Sequence, residues 1–188
     1  MTPFQSDFSA ASSINKKGEI VGGYLDPEGL FRAVLWGKQG VRELGTLGGD
    51  ESEAYWINDK GEAVGWCELP GDLRHACLWS SQGDTVDLGA LDGLYSEAYS
   101  INDRGTVVGT SFLDETLETS RAFIWTREDG MQDLNTLIDL PDEVFVIEAI
   151  SINDFGWVAG SNNLGTACLL IPYKIGKGMK DHRNSSKR

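Results

Sequence analysis

An internal repeat constrains this chain more than any other feature of its sequence. The dipeptide Ile-Asn occurs four times, at intervals of 43, 44 and 51 residues, and its asparagines are Asn15, Asn58, Asn102 and Asn153. A glycine follows each asparagine after three residues, at Gly18, Gly61, Gly105 and Gly156. A second glycine follows after seven residues, and the first three units then carry an apolar segment that ends in Trp36, Trp79 or Trp125. A period near 45 residues indicates a stacked or circular array of equivalent units.

Each unit divides into four short strands. In the second unit these are predicted at 53–57, 62–67, 75–79 and 85–88. The segment at 75–79 is apolar on both faces, which favours a sheet packed between two other sheets. We therefore predict an all-β fold, a four-bladed β-propeller built of four-stranded antiparallel blades. In this interpretation the repeated Asn and Gly residues form tight turns, and the three tryptophans pack between blades.

The unit boundaries predict how the ring closes. One domain is expected over residues 1–173, followed by a basic flexible tail at 174–188. The repeat units are 8–47, 52–91, 96–137 and 147–172, and the last of them lacks an outer strand. We expect residues 1–5 to supply that strand and so to hide the sheet edges of an open array. A closed ring predicts a monomer, whereas an open array predicts an oligomer or a piece of a longer array.

A small residue recurs four positions before each asparagine, at Ala11, Ala54, Ala98 and Ala149. The innermost strands of a narrow ring crowd together near its axis. We expect these four alanines to face neighbouring sheets there.

The charge of the chain excludes several classes of partner. The net charge is −13, and residues 1–173, with ten basic and 28 acidic side chains, carry −18. A body this acidic repels nucleic-acid phosphates, so no nucleic acid is expected as a partner. The sequence contains no apolar run near the ~20 residues of a membrane span. It also begins without a leader peptide as given, which predicts a cytoplasmic protein if the chain is complete.

The cysteines and histidines do not form a recognisable metal site. The three cysteines, Cys67, Cys77 and Cys168, contain no C-x-x-C pair, and only His75 and His182 could add imidazole ligands. No zinc site is therefore predicted. An odd number of cysteines excludes a complete disulfide framework within one chain, and we expect two buried thiols that pack as small apolar groups.

The register of the repeat resembles a known family. The segment Ser52-x-Ala54-x-x-Ile57-Asn58-Asp59-x-Gly61-x-x-Val64-Gly65, followed by His75-Ala76-x-x-Trp79 and Asp87-Leu88-Gly89-x-Leu91, is similar to the HAF-type bacterial repeat. The resemblance covers about residues 8–172. It implies a propeller-like fold and export to the cell exterior, and it implies no catalytic residues.

The longer connections predict a ligand side. In a propeller the connections between second and third strands and between blades share one face, and here they contain 16 of the 29 acidic residues. Binding loops usually lie on such a face. We predict that Asp50, Glu51, Asp92, Asp142 and Glu143 contribute to noncovalent recognition of a protein, a glycan or a cation. Carboxylates also suit calcium, although no loop has a regular calcium motif, and no cofactor is otherwise expected.

An enzyme is the less favoured prediction. Paired carboxylates can hydrolyse glycosidic bonds, and Glu53 and Glu97 occupy matching positions in adjacent units. A catalytic pair needs different surroundings that separate its two pKa values, and repeat-equivalent residues are expected to have similar surroundings. The prediction is therefore a binding scaffold. A carbohydrate-active enzyme and a purely structural surface protein are the alternatives.

Overall fold

The repeat folds into four antiparallel β-sheets. The computed structural model describes residues 8–92, 94–114 and 116–172. Sheet 1 contains β1 (Ser9–Ile14), β2 (Ile20–Leu25), β3 (Phe31–Gly37) and β4 (Gly40–Glu43). Sheet 2 contains β5 (Ser52–Ile57), β6 (Ala63–Glu68), β7 (Arg74–Trp79) and β8 (Thr85–Gly89).

The third and fourth sheets follow the same order. Sheet 3 contains β9 (Tyr95–Ile101), β10 (Val107–Phe112), β11 (Ser120–Thr126) and β12 (Gly130–Asp133), which is followed by a 3₁₀ turn at Leu134–Thr136. Sheet 4 contains β13 (Val146–Ile152), β14 (Val158–Asn162) and β15 (Ala167–Leu170). Neighbouring strands in each sheet are consecutive in sequence. The predicted all-β fold is confirmed, and no helix in the described residues is long and apolar enough to cross a bilayer.

Sheet 4 has three strands among the described residues. Residues 1–5, which we expect to supply its outer strand, lie outside the described residues, as does the tail at 174–188. The closing strand therefore stays a prediction.

Successive sheets pack face to face through three apolar clusters. The strand β7 shows why, because its two faces belong to different clusters. Cys77 and Trp79 pack toward sheet 1, whereas Ala76 and Leu78 pack toward sheet 3. The prediction of a sheet buried on both faces is confirmed for sheet 2. Trp79 and Trp125 also lie between sheets as expected, whereas Trp36 is only half-buried.

The described array is open between its first and last sheets. Extensive contacts join sheet 1 to sheet 2, sheet 2 to sheet 3 and sheet 3 to sheet 4, but strands of sheets 4 and 1 make no contact of that extent in the described residues. Ala54, Ala98 and Ala149 are fully buried against the preceding sheet, as predicted. The prediction is wrong for Ala11, which is exposed, because no described sheet precedes sheet 1.

The repeated asparagines do more than form turns. The side-chain oxygen of Asn58 accepts hydrogen bonds from the backbone N–H groups of Lys60 and Glu62, which closes its own turn. Its amide nitrogen donates to the backbone oxygen of Asn102, 3.0 Å away in the next unit. Equivalent bonds run from Asn15 to Asn58 and from Asn102 to Asn153. The asparagines thus form a ladder that sets the spacing of adjacent turns.

A second ladder lies beside the first. The backbone N–H of Lys16 donates to the carboxylate of Asp59, that of Asp59 to Asp103, and that of Asp103 to Asp154, each over 2.9 Å. The Asp59 hydrogen bond raises the pKa of Lys16, and the charges of Asp103 and Asp154 raise this pKa further.

The second repeated glycine is required by a bulge in the first strand of each unit. The register of β5 with β6 shifts between Ala54 and Trp56, and the other three sheets shift at the equivalent place. The bulge turns the carbonyl of Glu53 toward Gly65, where a Cβ atom would lie 1.9 Å from the carbonyl oxygen. A side chain at this position would therefore displace the backbone.

The expectation of two buried thiols is wrong, because the two fully buried cysteines are bonded to each other. Cys67 and Cys77 form a disulfide between β6 and β7, with a Cα–Cα distance of 5.8 Å. Cys168 is free. The odd number of cysteines excluded a complete framework but left one pair open, and the register of β6 and β7 brings these two side chains together on one face.

We expect Asn58→Ala to destabilise the fold more than Asn153→Ala. Both substitutions remove the bonds that close a turn, but only Asn58→Ala removes a bond to the next sheet, and a buried hydrogen bond contributes about 1 kcal/mol. Urea unfolding at equilibrium should give losses of about 2–3 and about 1 kcal/mol, respectively. Equal losses would show that the ladder does not couple the sheets.

We expect Ala98→Leu to destabilise the fold by about 1–3 kcal/mol, because a larger side chain overpacks a filled interface. Ala11→Leu is the matched control, since Ala11 has the same repeat position and is exposed. Thermal unfolding of the two variants should show a lower Tm for Ala98→Leu alone. At protein concentrations where the chain is monomeric, a lowered Tm for both would contradict the open face of sheet 1.

Reduction of the disulfide between Cys67 and Cys77 should destabilise the protein by roughly 2–3 kcal/mol. The disulfide closes a short loop in the unfolded chain, and its reduction gives the unfolded chain more conformational freedom. The measurement is the urea midpoint with and without dithiothreitol. A Cys67→Ala/Cys77→Ala variant provides the control, because its midpoint should not respond to the reductant. An unchanged midpoint for the wild-type protein would argue against the disulfide.

Candidate functional site

The two ends of the sheets differ in their connections. The Asn turns that link first and second strands lie at one end, which we call the turn end. The antiparallel order places the connections between sheets, and those between second and third strands, at the opposite end, which we call the loop end. The predicted acidic connections therefore lie together at the loop end.

The structure does not gather the five predicted site residues into one site. The carboxylate of Glu51 accepts a hydrogen bond from the backbone N–H of Phe31, 3.0 Å away, and so holds a neighbouring strand. Asp92, Asp142 and Glu143 are exposed in two other connections. In the described part of the chain no hydrogen bond or ion pair joins any of the five to another, Asp50 included. Nor do the described residues hold a group of three His, Cys, Asp or Glu side chains placed to bind a metal ion, so calcium stays a prediction.

Another set of side chains does come together at the loop end. We call it the acid–aromatic cluster, and it contains Glu53, Tyr55, Trp66, Arg74, Glu97 and Tyr99. The indole N–H of Trp66 donates to Tyr55 over 3.0 Å and to Glu53 over 3.3 Å. The hydroxyl of Tyr99 donates to Glu97 over 3.2 Å. The centroids of the two tyrosine rings lie 5.8 Å apart, so the two rings pack against each other beside the glutamates.

Arg74 inserts its guanidinium group into this cluster. One of its terminal nitrogens lies 2.9 Å from a carboxylate oxygen of Glu97. The guanidinium carbon lies 5.3 Å from the centroid of the Trp66 ring, which places the cation against the indole. A carboxylate and an aromatic face therefore recognise one cation within the protein itself.

Burial changes the electrostatics of the cluster. Glu97 is only 8% exposed, and desolvation raises its pKa while the charge of Arg74 opposes the rise. Desolvation also raises the pKa of Tyr55 and of Tyr99, and the carboxylate of Glu97 adds to both effects. Both phenols are therefore neutral hydrogen-bonding groups at physiological pH.

The two glutamates have different surroundings, although they share a repeat position. Glu97 is buried and paired with Arg74, whereas Glu53 is half-buried and bonded to Trp66. The expectation that repeat-equivalent carboxylates have similar surroundings is thus wrong for this pair. The residues that contact each glutamate differ between units, and these contacts determine the environment of its carboxylate.

A third glutamate at the same repeat position extends the acidic column. Glu148 accepts a hydrogen bond from the hydroxyl of Ser161 over 3.2 Å. Ser161 and Trp66 lie eight residues after their asparagines, and the equivalent residue in sheet 3 is Thr110. The Thr110 hydroxyl is buried. Sheet 1 has Ala10 at the glutamate position, so the column ends there.

An open groove of about 290 Å³ lies over one side of the cluster. It is lined by Glu51, Trp66, Glu68, Asp72, Arg74, Tyr95 and Leu117. Three of these seven residues are acidic, and Trp66 and Arg74 belong to the acid–aromatic cluster as well. The groove therefore connects one predicted site residue, Glu51, with the cluster that we did not predict.

The signal for the cluster is present in the sequence as a repeated Glu-x-Tyr pattern, at Glu53 with Tyr55 and at Glu97 with Tyr99. Strict alternation would place Glu and Tyr of this pattern on one face and the intervening alanine on the other. The bulge that follows the alanine shifts the register of the strand, and the Glu-x-Tyr pattern does not predict this shift.

Comparisons with known proteins found no match. No family model, no curated protein and no solved structure is significantly similar to this chain.

Proposed function

We propose that the protein is a non-enzymatic binding module that recognises cationic side chains of a basic protein partner in the loop-end groove. The observation that carries this proposal is the position of Arg74 between Trp66 and Glu97. This contact combines the two interactions that a foreign arginine or lysine would use, a charge-assisted hydrogen bond and a cation–π contact.

The groove offers further contacts of the same kind. Glu51, Glu68 and Asp72 supply carboxylates beside the ring of Tyr95. Arg74 neutralises Glu97 but leaves these three carboxylates without a cation in the described ion pairs. The net charge of −18 on residues 1–173 adds a long-range attraction for basic partners.

The propeller-like ring belongs to the same proposal. Its support is the set of four antiparallel sheets that pack face to face in chain order. In such a ring the first strand of each sheet lines the axis, and the column of Glu53, Glu97 and Glu148 would face it. Closure within one chain by residues 1–5 is one prediction that the sequence makes, and an open array whose copies associate is the other.

Export is the localisation that we propose. The resemblance to the HAF-type repeat implies it, and the disulfide between Cys67 and Cys77 supports it. Disulfides form and persist in oxidising compartments and are rare in the cytosol of most organisms.

A carbohydrate-active enzyme is the second candidate, and one observation favours it. The carboxyl groups of Glu53 and Glu97 have different environments, as the acid and the base of a glycosidase require. The ion pair with Arg74 argues against an enzyme, because Arg74 already binds the Glu97 carboxylate. Hydrolysis of a polysaccharide that is abolished by Glu97→Gln would replace the binding proposal with this one.

Binding of a fluorescein-labelled peptide of alternating Arg and Gly tests the proposed function. Neutralising the groove with Glu51→Gln, Glu68→Gln and Asp72→Asn should raise the peptide Kd about tenfold or more, equivalent to about 1.4 kcal/mol. Amide side chains retain an oxygen acceptor, so the backbone N–H groups held by Glu51 and Glu68 keep a partner. Fluorescence anisotropy at low and at physiological salt gives the Kd, which should rise with salt.

The matched control is Asp92→Asn, Asp142→Asn and Glu143→Gln, which changes the net charge by the same amount outside the groove. It should leave the Kd nearly unchanged, and a peptide with Gln in place of Arg should not bind. Equal effects of the two triple variants would show that overall charge, and not the groove, attracts the peptide.

A further inference from the structure

Each interface between successive sheets has two unlike halves. The forward half comes from the second and third strands of the earlier sheet, as with Val64 and Leu78 of sheet 2. The backward half comes from the first three strands of the later sheet, as with Ala98, Val107 and Phe123 of sheet 3. Three interfaces of this kind occur within one chain.

The two ends of the array carry one half each, and each half has an exposed part, although Val34, the sheet 1 equivalent of Phe123, is fully buried. At the backward half of sheet 1, Ile14 is 65% exposed, whereas its equivalents Ile57, Ile101 and Ile152 are 3%, 1% and 5% exposed. At the forward half of sheet 4, Leu169 is 57% exposed, whereas its equivalent Leu78 is fully buried. The part of the sheet 1 face around Ala11 and Ile14, and the sheet 4 face around Leu169, therefore have the residue types of an interface and are exposed.

The asparagine ladder also ends with matching groups. The side-chain amide nitrogen of Asn153 makes no hydrogen bond in the described structure, whereas the other three asparagines donate to a neighbouring unit. The backbone oxygen of Asn58 accepts from both Gly61 and Asn15, but that of Asn15 accepts from Gly18 alone. One hydrogen bond is thus left to form between Asn153 and a following Asn15.

The charges at the two ends are complementary. Residue 16 is lysine, whereas its equivalents in the other units are Asp59, Asp103 and Asp154. A junction between sheet 4 and a following sheet 1 would place Lys16 next to Asp154, with the order of acid and base reversed relative to the internal pair of Lys16 and Asp59. The Asp154 backbone N–H would lack the carboxylate acceptor of the internal interfaces, so the junction keeps one of the two ladders.

We propose that the forward face of sheet 4 binds the backward face of sheet 1 of a second copy of this chain. The contact reproduces the internal interface, including apolar packing of Leu169 against Ala11 and Ile14 and a hydrogen bond from Asn153 to Asn15. It is head-to-tail, so it closes into a ring if the rotation per copy allows and otherwise extends the array.

Sedimentation velocity of the full chain over roughly a hundredfold range of concentration should show a species at least twice the mass of the monomer at the upper end. Ile14→Asp and Leu169→Asp should each abolish this species, because each removes one half of every junction. Leu164→Asp is the control, since Leu164 is also 65% exposed but lies in the connection between β14 and β15, and it should associate like the wild type.

An equimolar mixture of the two single variants gives the sharpest test. The Ile14→Asp protein keeps an unchanged sheet 4 face, and the Leu169→Asp protein keeps an unchanged sheet 1 face. The mixture should therefore form a dimer, although neither protein does so alone. Circular dichroism establishes that both variants are folded.

In-chain closure by residues 1–5 predicts that the wild-type protein stays monomeric at all concentrations. That result would overturn the proposal. Association that survives both single substitutions, or a mixture that stays monomeric, would also overturn it. These results do not depend on peptide binding in the loop-end groove, because Ile14 and Leu169 lie outside that groove.

Discussion

The fold depends on the mutual burial of sheet faces. A sheet with apolar residues on both faces cannot be stable alone, since water would contact one face or both. Cys77 and Trp79 need sheet 1, and Ala76 and Leu78 need sheet 3. Stability therefore belongs to the array rather than to its units, as in other repeat proteins whose units contact only their neighbours. The asparagine ladder sets the alignment of adjacent units, because each asparagine donates a hydrogen bond to the turn of the next unit.

The bulge in each first strand links the fold to the candidate site. It brings a carbonyl group so close to the opposing strand that only glycine fits there, as at Gly65 and Gly109. Bulges bend a strand and change the direction of its side chains. Tyr55 and Tyr99 are the extra residues of two bulges, and their rings contact each other across two sheets. One backbone irregularity, repeated in each unit, thus builds the aromatic part of the cluster.

The repeat predicted the strands, the turns and the two-sided burial because these follow from local periodicity. The sequence pattern predicted β7 at 75–79, and the observed strand is Arg74–Trp79. It did not predict the disulfide, because the register of β6 and β7 decides which cysteines meet. It placed Ala11 in an interface by equivalence, but burial depends on a neighbour that the described array lacks. The cluster around Glu97 was also missed, because Arg74 and Trp66 are not repeated in the other units.

The two ends of the sheets are under different physical constraints. At the turn end every unit must present the same asparagine to its neighbour, since a change in one turn breaks bonds in two units. At the loop end, backbone groups are held by particular side chains, such as Glu68, whose carboxylate accepts from Asp50 and Glu51. Such contacts differ from unit to unit without disturbing the ladders. The long third interval adds residues only to loop-end connections, including 138–145. An array of equivalent interfaces can therefore carry a binding surface whose composition varies from unit to unit.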